Sequence, residues 1–193
     1  MSVLKPIPTK YNRHLFRSRL EARYAIYFDE LNVEWVYEGE GYDLDGVRYL
    51  PDFYLPKYKI YAEIKPKELN ALEHKKCRLL VNATQKRVVE LIGLPHTDTN
   101  TVIIPSQHFI CPIYGEHDVY EEFKQSKICK CGAKHHISKT LHEADGVLIL
   151  KSEKLSYIPL YYGQYNNDDK SDLIIQAAIN KACEAQFEFQ NKK

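Results

Sequence analysis

The sequence predicts an α/β fold, a central mixed β-sheet flanked by helices, with a small Cys- and His-containing insertion. Three observations carry this. Apolar residues recur at helical spacing near 18–31, 67–85 and 172–190, while the segments between them alternate or form short β-branched runs. The segments follow in the order α, β-β-β, α, β, β, which fits one sheet between helices. The periodicity then stops over 108–145, where His and Cys become dense. At 193 residues the chain suits one domain with a subdomain and can bury a proper core. The division is residues 1–107 as the core, with an arm over 1–12; 108–145 as the insertion; and 146–193 as a strand and helix completing the core.

Pro6 and Pro8 block helix in the arm, which reads as extended. A helix is predicted from about Ser18 to Leu31, because Leu20, Tyr24, Tyr27 or Phe28, and Leu31 share a face. Its start, Ser18-Arg19-Leu20-Glu21, has the capping-box form. Residues 33–42 (VEWVYEGEGY) alternate and predict a strand. Residues 48–55 and 60–65 predict a hairpin through Pro56-Lys57-Tyr58-Lys59 that extends an antiparallel meander. In its second strand Ile60, Ala62 and Ile64 share one face, and Tyr61, Glu63 and Lys65 the other. The next stretch, PKELNALEHKKCRLLVNATQ, predicts a helix with Pro66 at its mouth. RVVELIGLP (87–95), TNTVIIP (99–105) and GVLILKS (146–152) are buried-type strands. DLIIQAAINKACEAQFEFQ predicts an amphipathic helix that covers the core through Leu173, Ile174, Ala177, Ala178 and Cys183.

Net charge is only +1, so no global field points to a polyanionic partner, but the charge is segregated. Lys5, Lys10, Arg13, Arg17, Arg19 and Arg23 face a single acid, Glu21, within residues 1–26. Seven acids and no Lys or Arg occupy 28–45. A second basic stretch holds Lys65, Lys67, Lys75, Lys76, Arg78, Lys86 and Arg87. Five cysteines, an odd number with Cys77 and Cys183 in predicted helices, argue against a secreted disulfide framework. No apolar run approaches the roughly 20 residues that span a bilayer, and the N-terminus lacks a signal-peptide apolar region. A soluble intracellular protein with no membrane partner is expected.

RYLPDFYLPKYKIYAEIKPK, residues 48–67, poses a physical problem. If Leu55 pairs with Ile60, the register sets Asp52 opposite Glu63 with Cβ atoms about 5 Å apart, where like charges are destabilising. A divalent cation would offset the repulsion. Mg²⁺ prefers oxygen ligands, and it would acidify a water and polarise a phosphoryl oxygen. Lys65, two residues from Glu63 on the same face, would stabilise charge developing on a phosphate. The helix after Pro66 would add its N-terminal amides. Together these suit hydrolysis of a phosphodiester.

Pro51-Asp52, then ten residues, then Glu63-Ile64-Lys65 resembles the PD-(D/E)xK nuclease superfamily, whose core is restriction-endonuclease-like. The upstream RSRLEARYAIYFDEL…WVYEGEGYDL resembles members, TnsA-like or phage-type, in which a first-helix glutamate joins the metal site. The resemblance covers about residues 13–95. It implies a Mg²⁺- or Mn²⁺-dependent nuclease in which Glu21, Asp52 and Glu63 are metal ligands, the Ile64 carbonyl is a backbone ligand, and Lys65 is the catalytic lysine. It favours DNA as substrate, endonucleolytic cleavage, and the cytoplasm of a bacterial or phage-infected cell. No glutamine–tyrosine pair of the RecB type falls on the 67–85 helix; Gln85 lies too near its end.

Arg13, His14, Arg17, Arg19 and Arg23, with Lys67, Lys75 and Lys76, form two basic patches flanking these acids. They would grip phosphates without reading sequence. Over 108–136, Cys111, Cys129 and Cys131 with His135 or His136 offer a structural Zn²⁺ site, His117 being a further candidate. The spacing departs from paired CxxC turns, since Tyr114 stands where CPxCG would place a cysteine and Cys129 and Cys131 are one residue apart. The alternative is a former zinc ribbon held by packing. A homodimer would supply two sites for the two strands of a duplex. Two rivals to the nuclease remain: a catalytically silent nuclease fold that binds nucleic acid or a protein, and a protein-interaction factor whose basic patches bind an acidic partner.

Overall fold

The computed structural model describes residues 5–96, 100–105, 135–137, 147–152 and 169–187. The first element departs from an extended arm. Asn12 and Arg13 both take positive φ, and this left-handed pair folds β1 (Thr9–Tyr11) back on β2 (His14–Phe16) as a hairpin. Helix α1 (Arg19–Glu30) starts where predicted, with the Ser18 hydroxyl accepting the Glu21 N–H. Tyr24, Tyr27, Phe28 and Leu31 are buried on its core face.

The predicted 33–42 strand shrinks to β3 (Val36–Tyr37), because Glu38 takes a φ of 46° and turns the chain out of the sheet. The following residues form a separate hairpin, β4 (Tyr42–Leu44) with β5 (Val47–Tyr49), turned by Asp45-Gly46 with both residues at positive φ. The predicted 48–55 strand therefore divides. Its second half, β6 (Phe53–Leu55), pairs with β7 (Ile60–Lys65), and Leu55 faces Ile60 as the sequence predicts.

Helix α2 (Ala71–Thr84) begins five residues after Pro66. Asn70 and Glu73 form a reciprocal capping box that satisfies its first amides, so these amides are not offered to an anion beside Lys65. The helix carries the chain over to β8 (Arg87–Ile92), parallel to β7. Next come β9 (Asn100–Pro105), β10 (His135–Ile137), β11 (Val147–Ser152) and helix α3 (Asp169–Glu184). Among the described residues the main sheet runs β10-β11-β9-β8-β7-β6-β3, mixed because only β7–β8 is parallel. His135–Ile137, read as part of the insertion, is an edge strand of this sheet; the rest of 108–145 lies outside the described residues.

The alternation of β7 separates two cores. Ile60, Ala62 and Ile64 join Phe53, Leu55 and the buried faces of α1 and α3; Tyr61 joins Val88, Ile103 and the α2 residues Cys77, Leu80 and Val81. On α3 the buried residues are Ile175, Ala178, Ile179 and Ala182, at helical spacing. This corrects the predicted face by about one position: Leu173 and Ile174 are exposed, and Cys183 only flanks the core. No helix among the described residues is long and apolar enough to cross a membrane.

Phe53 is fully buried where Phe16, Phe28, Trp35 and Tyr37 meet it with ring centroids 5.2–6.0 Å away. Truncation to Ala removes the residue that joins α1 to the edge of the sheet. Phe53→Ala is expected to lose about 3–5 kcal/mol in equilibrium urea unfolding, and a loss below 1 kcal/mol would show that the cluster relaxes freely.

Candidate functional site

The acids converge where β6 begins and β7 ends. Asp52 immediately precedes β6 and is 2 % exposed. Its Oδ2 accepts the Ile64 N–H at 2.8 Å, and its Oδ1 accepts from the Arg17 guanidinium at 2.7 Å. A residue's N–H and C=O leave an extended strand on the same side. Lys65 C=O bonds to Gly93 on the β8 side, so the Ile64 carbonyl faces the Asp52 side. Glu63, also buried, accepts from Lys65 Nζ at 2.5 Å and from the Tyr49 hydroxyl at 2.6 Å. Lys65 Nζ is 3.8 Å from Asp52 Oδ2 and so reaches both carboxylates.

The two acids on facing strands are thus matched by cations of the chain itself. Arg17 answers Asp52 and Lys65 answers Glu63. Arg17 leaves β2 and stretches across the site, placing Nε against Glu38 at 2.5 Å and Nη2 against Asp52. The sequence reading assigned Arg17 to phosphate contacts; the structure places it inside the acidic cluster.

Glu21 is buried nearby, on the first turn of α1, but it is turned to its own surroundings. It accepts from the Ser18 hydroxyl at 2.7 Å, from the Tyr37 hydroxyl at 2.5 Å and from the Arg17 N–H at 3.2 Å. Among the described residues no group of three or more His, Cys, Asp or Glu side chains is placed to hold a metal ion. The structure therefore brings together Asp52, Glu63, Ile64 and Lys65, with Glu21 adjoining them through Arg17 rather than sharing one ligand sphere.

The basic residues disperse. Arg13 is exposed at the β1–β2 turn, Arg19 is half-buried at the start of α1, and Lys67 and Lys75 are exposed before and within α2. Arg23 is turned from the site; it donates to the Ala182 and Cys183 carbonyls at the end of α3 and lies over the Phe187 ring. Arg23 therefore ties α1 to α3. Cys111, Cys129 and Cys131 lie outside the described residues, and of His135 only the strand is described.

Two features escaped the sequence reading. Tyr49 reaches the site because the Asp45-Gly46 turn folds β5 over the sheet; that dipeptide was the available signal. Glu90, 2 % exposed, sits beside Glu63 in the parallel register and pairs with His74 of α2 at 2.8 Å. Nothing in local spacing links residues 74 and 90.

Burial pushes the Asp52 carboxyl up to about 7, and the nearby Glu63 and Glu21 charges add to this; Lys65 and the Ile64 N–H oppose it without prevailing. The site is short of positive charge, with four acids (Glu21, Glu38, Asp52, Glu63) around two cations (Arg17, Lys65). In charge and donor chemistry, two buried carboxylates and a backbone carbonyl fit a hard divalent cation. No protein-family model matches the chain, and no curated protein or solved structure matches it.

The raised value sets a sign. Stability from a protonated Asp52 is fully present below its ordinary value near 3.8 and is lost as the pH rises through about 7. In chelator, Asp52→Asn and wild type should melt alike at about pH 3.5, below the ordinary carboxyl value, and the variant should melt higher at about pH 8. Thermal unfolding at the two pH values checks this; a variant that melts lower at the higher pH would show that Arg17 and Lys65 fully compensate the charge.

Proposed function

We propose that the chain is a metal-dependent nuclease that hydrolyses phosphodiester bonds in nucleic acid, with DNA the favoured substrate and endonucleolytic cutting the favoured mode. The observation that carries the reading is the seating of Lys65 within reach of both Asp52 and Glu63 at the end of β7. Asp52, Glu63 and the Ile64 carbonyl would hold Mg²⁺ or Mn²⁺. The ion, when bound, would polarise a phosphoryl oxygen and make water a better nucleophile.

The chain's own groups have definable parts. Lys65, held by Glu63, presents positive charge where charge accumulates on the phosphate. Tyr49 fixes the second Glu63 oxygen, and the Ile64 N–H fixes Asp52, so both carboxylates are oriented by the sheet and its covering hairpin. Arg17 is half-exposed and pairs with Asp52 from the solvent side. Charge balance suits a transfer of its guanidinium from Asp52 to a phosphate oxygen when a cation takes over the carboxylate. Glu21 anchors the Arg17 backbone and thereby the start of that side chain.

A second reading has its own support. Because Arg17 and Lys65 already match Asp52 and Glu63, the site is consistent with a silent nuclease fold that binds nucleic acid or protein without a metal.

Cleavage of supercoiled plasmid and single-stranded DNA with Mg²⁺ or Mn²⁺ decides between them. Glu63→Gln and Lys65→Ala are each expected to lower the rate by about 10²–10³ or more, and Glu63→Gln should also abolish calorimetric binding of Mn²⁺. Binding of DNA in chelator, no Mn²⁺ uptake and indifference to Glu63→Gln would establish the silent module instead.

A further inference from the structure

A cavity of about 230 Å³ is lined by residues of β3, β4, β6 and β7 together with Pro51, the residue before Asp52. Its walls are aromatic for a structural reason. Tyr54 of β6 and Tyr61 of β7 are direct cross-strand partners, so both rings stand on one face, 4.8 Å apart between centroids. Tyr42 of β4 meets Tyr61 edge-on at 5.9 Å, and the two hydroxyls share a 2.6 Å hydrogen bond. Pro51 also lines the cavity, and its neighbour in the chain is Asp52. Asp52 itself is not among the lining residues, but it follows Pro51 directly, with adjacent Cα atoms about 3.8 Å apart, so the cavity begins one residue from the acidic site.

The polar groups stand at the rim. Lys86 Nζ lies 4.6 Å from the Tyr54 ring centroid and 3.4 Å from the Tyr61 hydroxyl. The exposed Glu40 carboxylate accepts from the Tyr42 hydroxyl at 2.8 Å. The volume falls below the roughly 300–1,000 Å³ of sites for drug-sized ligands. Tyr61 is 4 % exposed and forms the floor, while the partly buried Tyr42 and Tyr54 rings offer the accessible walls, which suits one flat ring system with apolar faces and a hydrogen-bonding edge. Tyrosine faces, a lysine and a rim acceptor are the chemistry by which single-stranded nucleic acid is held: bases stack on aromatic rings while a cation attends the backbone. A paired base inside a duplex cannot reach such a recess without leaving the stack.

We propose that the cavity formed by Tyr42, Tyr54, Tyr61 and Lys86 binds one unpaired base of the nucleic-acid strand next to the phosphate held at Asp52. The substrate is then a single strand, or a duplex with an unpaired or extruded nucleotide beside the cut. This rests on the nuclease reading for the position of the phosphate, but the base site can be measured without cleavage.

The test is an abasic scan. Wild-type protein in chelator is titrated with a short labelled single-stranded oligodeoxynucleotide and with versions carrying one abasic residue at each position, and a fully paired duplex is compared. The single strand should bind more tightly than the duplex. One abasic position should weaken binding about ten-fold or more. Tyr54→Ala should weaken the intact strand similarly and erase the abasic effect, while Tyr54→Phe should retain it. Equal affinity for every abasic version overturns the proposal, as does failure to bind any oligonucleotide; the scan on wild type holds even if Tyr54→Ala does not fold. A position-specific abasic effect without cleavage in Mn²⁺ would remove the nuclease reading and keep the base site. Cleavage with uniform tolerance of abasic residues would do the reverse.

Discussion

Everything around the site depends on how the buried charge of Asp52 is held. A carboxylate removed from water costs several kcal/mol unless it is paired and hydrogen-bonded. Here the compensation comes from elements distant in the chain. Arg17 arrives from the end of β2, the Ile64 amide from β7 and Lys65 from the end of the same strand. Arg17 also binds Glu38, whose left-handed backbone ends β3, and its own N–H is held by Glu21 of α1. One guanidinium thus joins the first hairpin, the first helix, the edge strand and the acidic pair. The balance is incomplete, since the Asp52 carboxyl remains well above its ordinary range. The same shortfall that weakens the fold is what the proposed cation would relieve.

The sheet supports this by dividing its labour. Along β7, alternate residues serve the α1/α3 core, and the residues between them carry Tyr61, Glu63 and Lys65 to the other side. Phe53 likewise packs into the α1/α3 core while Tyr54 packs against the α2 side, and both line the cavity. Packing on one face holds the strands rigid, and the polar face inherits that precision. Hairpin β4–β5 then lies over the polar face and delivers Tyr49 to Glu63 and Tyr42 to Tyr61. Metal, phosphate and base contacts, as proposed, are side by side because they hang from adjacent positions of two paired strands.

Much of the scaffold was legible in the sequence. The Leu55–Ile60 register follows from alternation about a short loop, and the core face of α1 follows from apolar spacing. The acid–lysine grouping followed from that register. Other parts were misread for identifiable reasons. Pro66 looked like a helix start, but Asn70 and Glu73 offer a reciprocal cap four residues later, and hydrogen bonding at the cap outweighs a favourable φ. The continuous alternation of 33–42 hid the turn at Glu38. Asp45-Gly46 was a visible hairpin signal that the aromatic run after it obscured.

What the sequence determined by itself was local: which residues face a core, which strands pair across a short loop, and that Asp52, Glu63 and Lys65 share one end of a hairpin. These depend on periods of 2.0 and 3.6 residues, which a single strand or helix enforces wherever it sits. Only the tertiary structure decided that Arg17 and not a distant patch meets Asp52, that Glu21 adjoins the acids through its neighbour's backbone, that Arg23 is spent on the end of α3, and that His74 meets Glu90. Those partners come from different elements, and no local period relates them. They meet because packing against a common sheet brings the elements together, and because a charge carried into the interior must find its partner there.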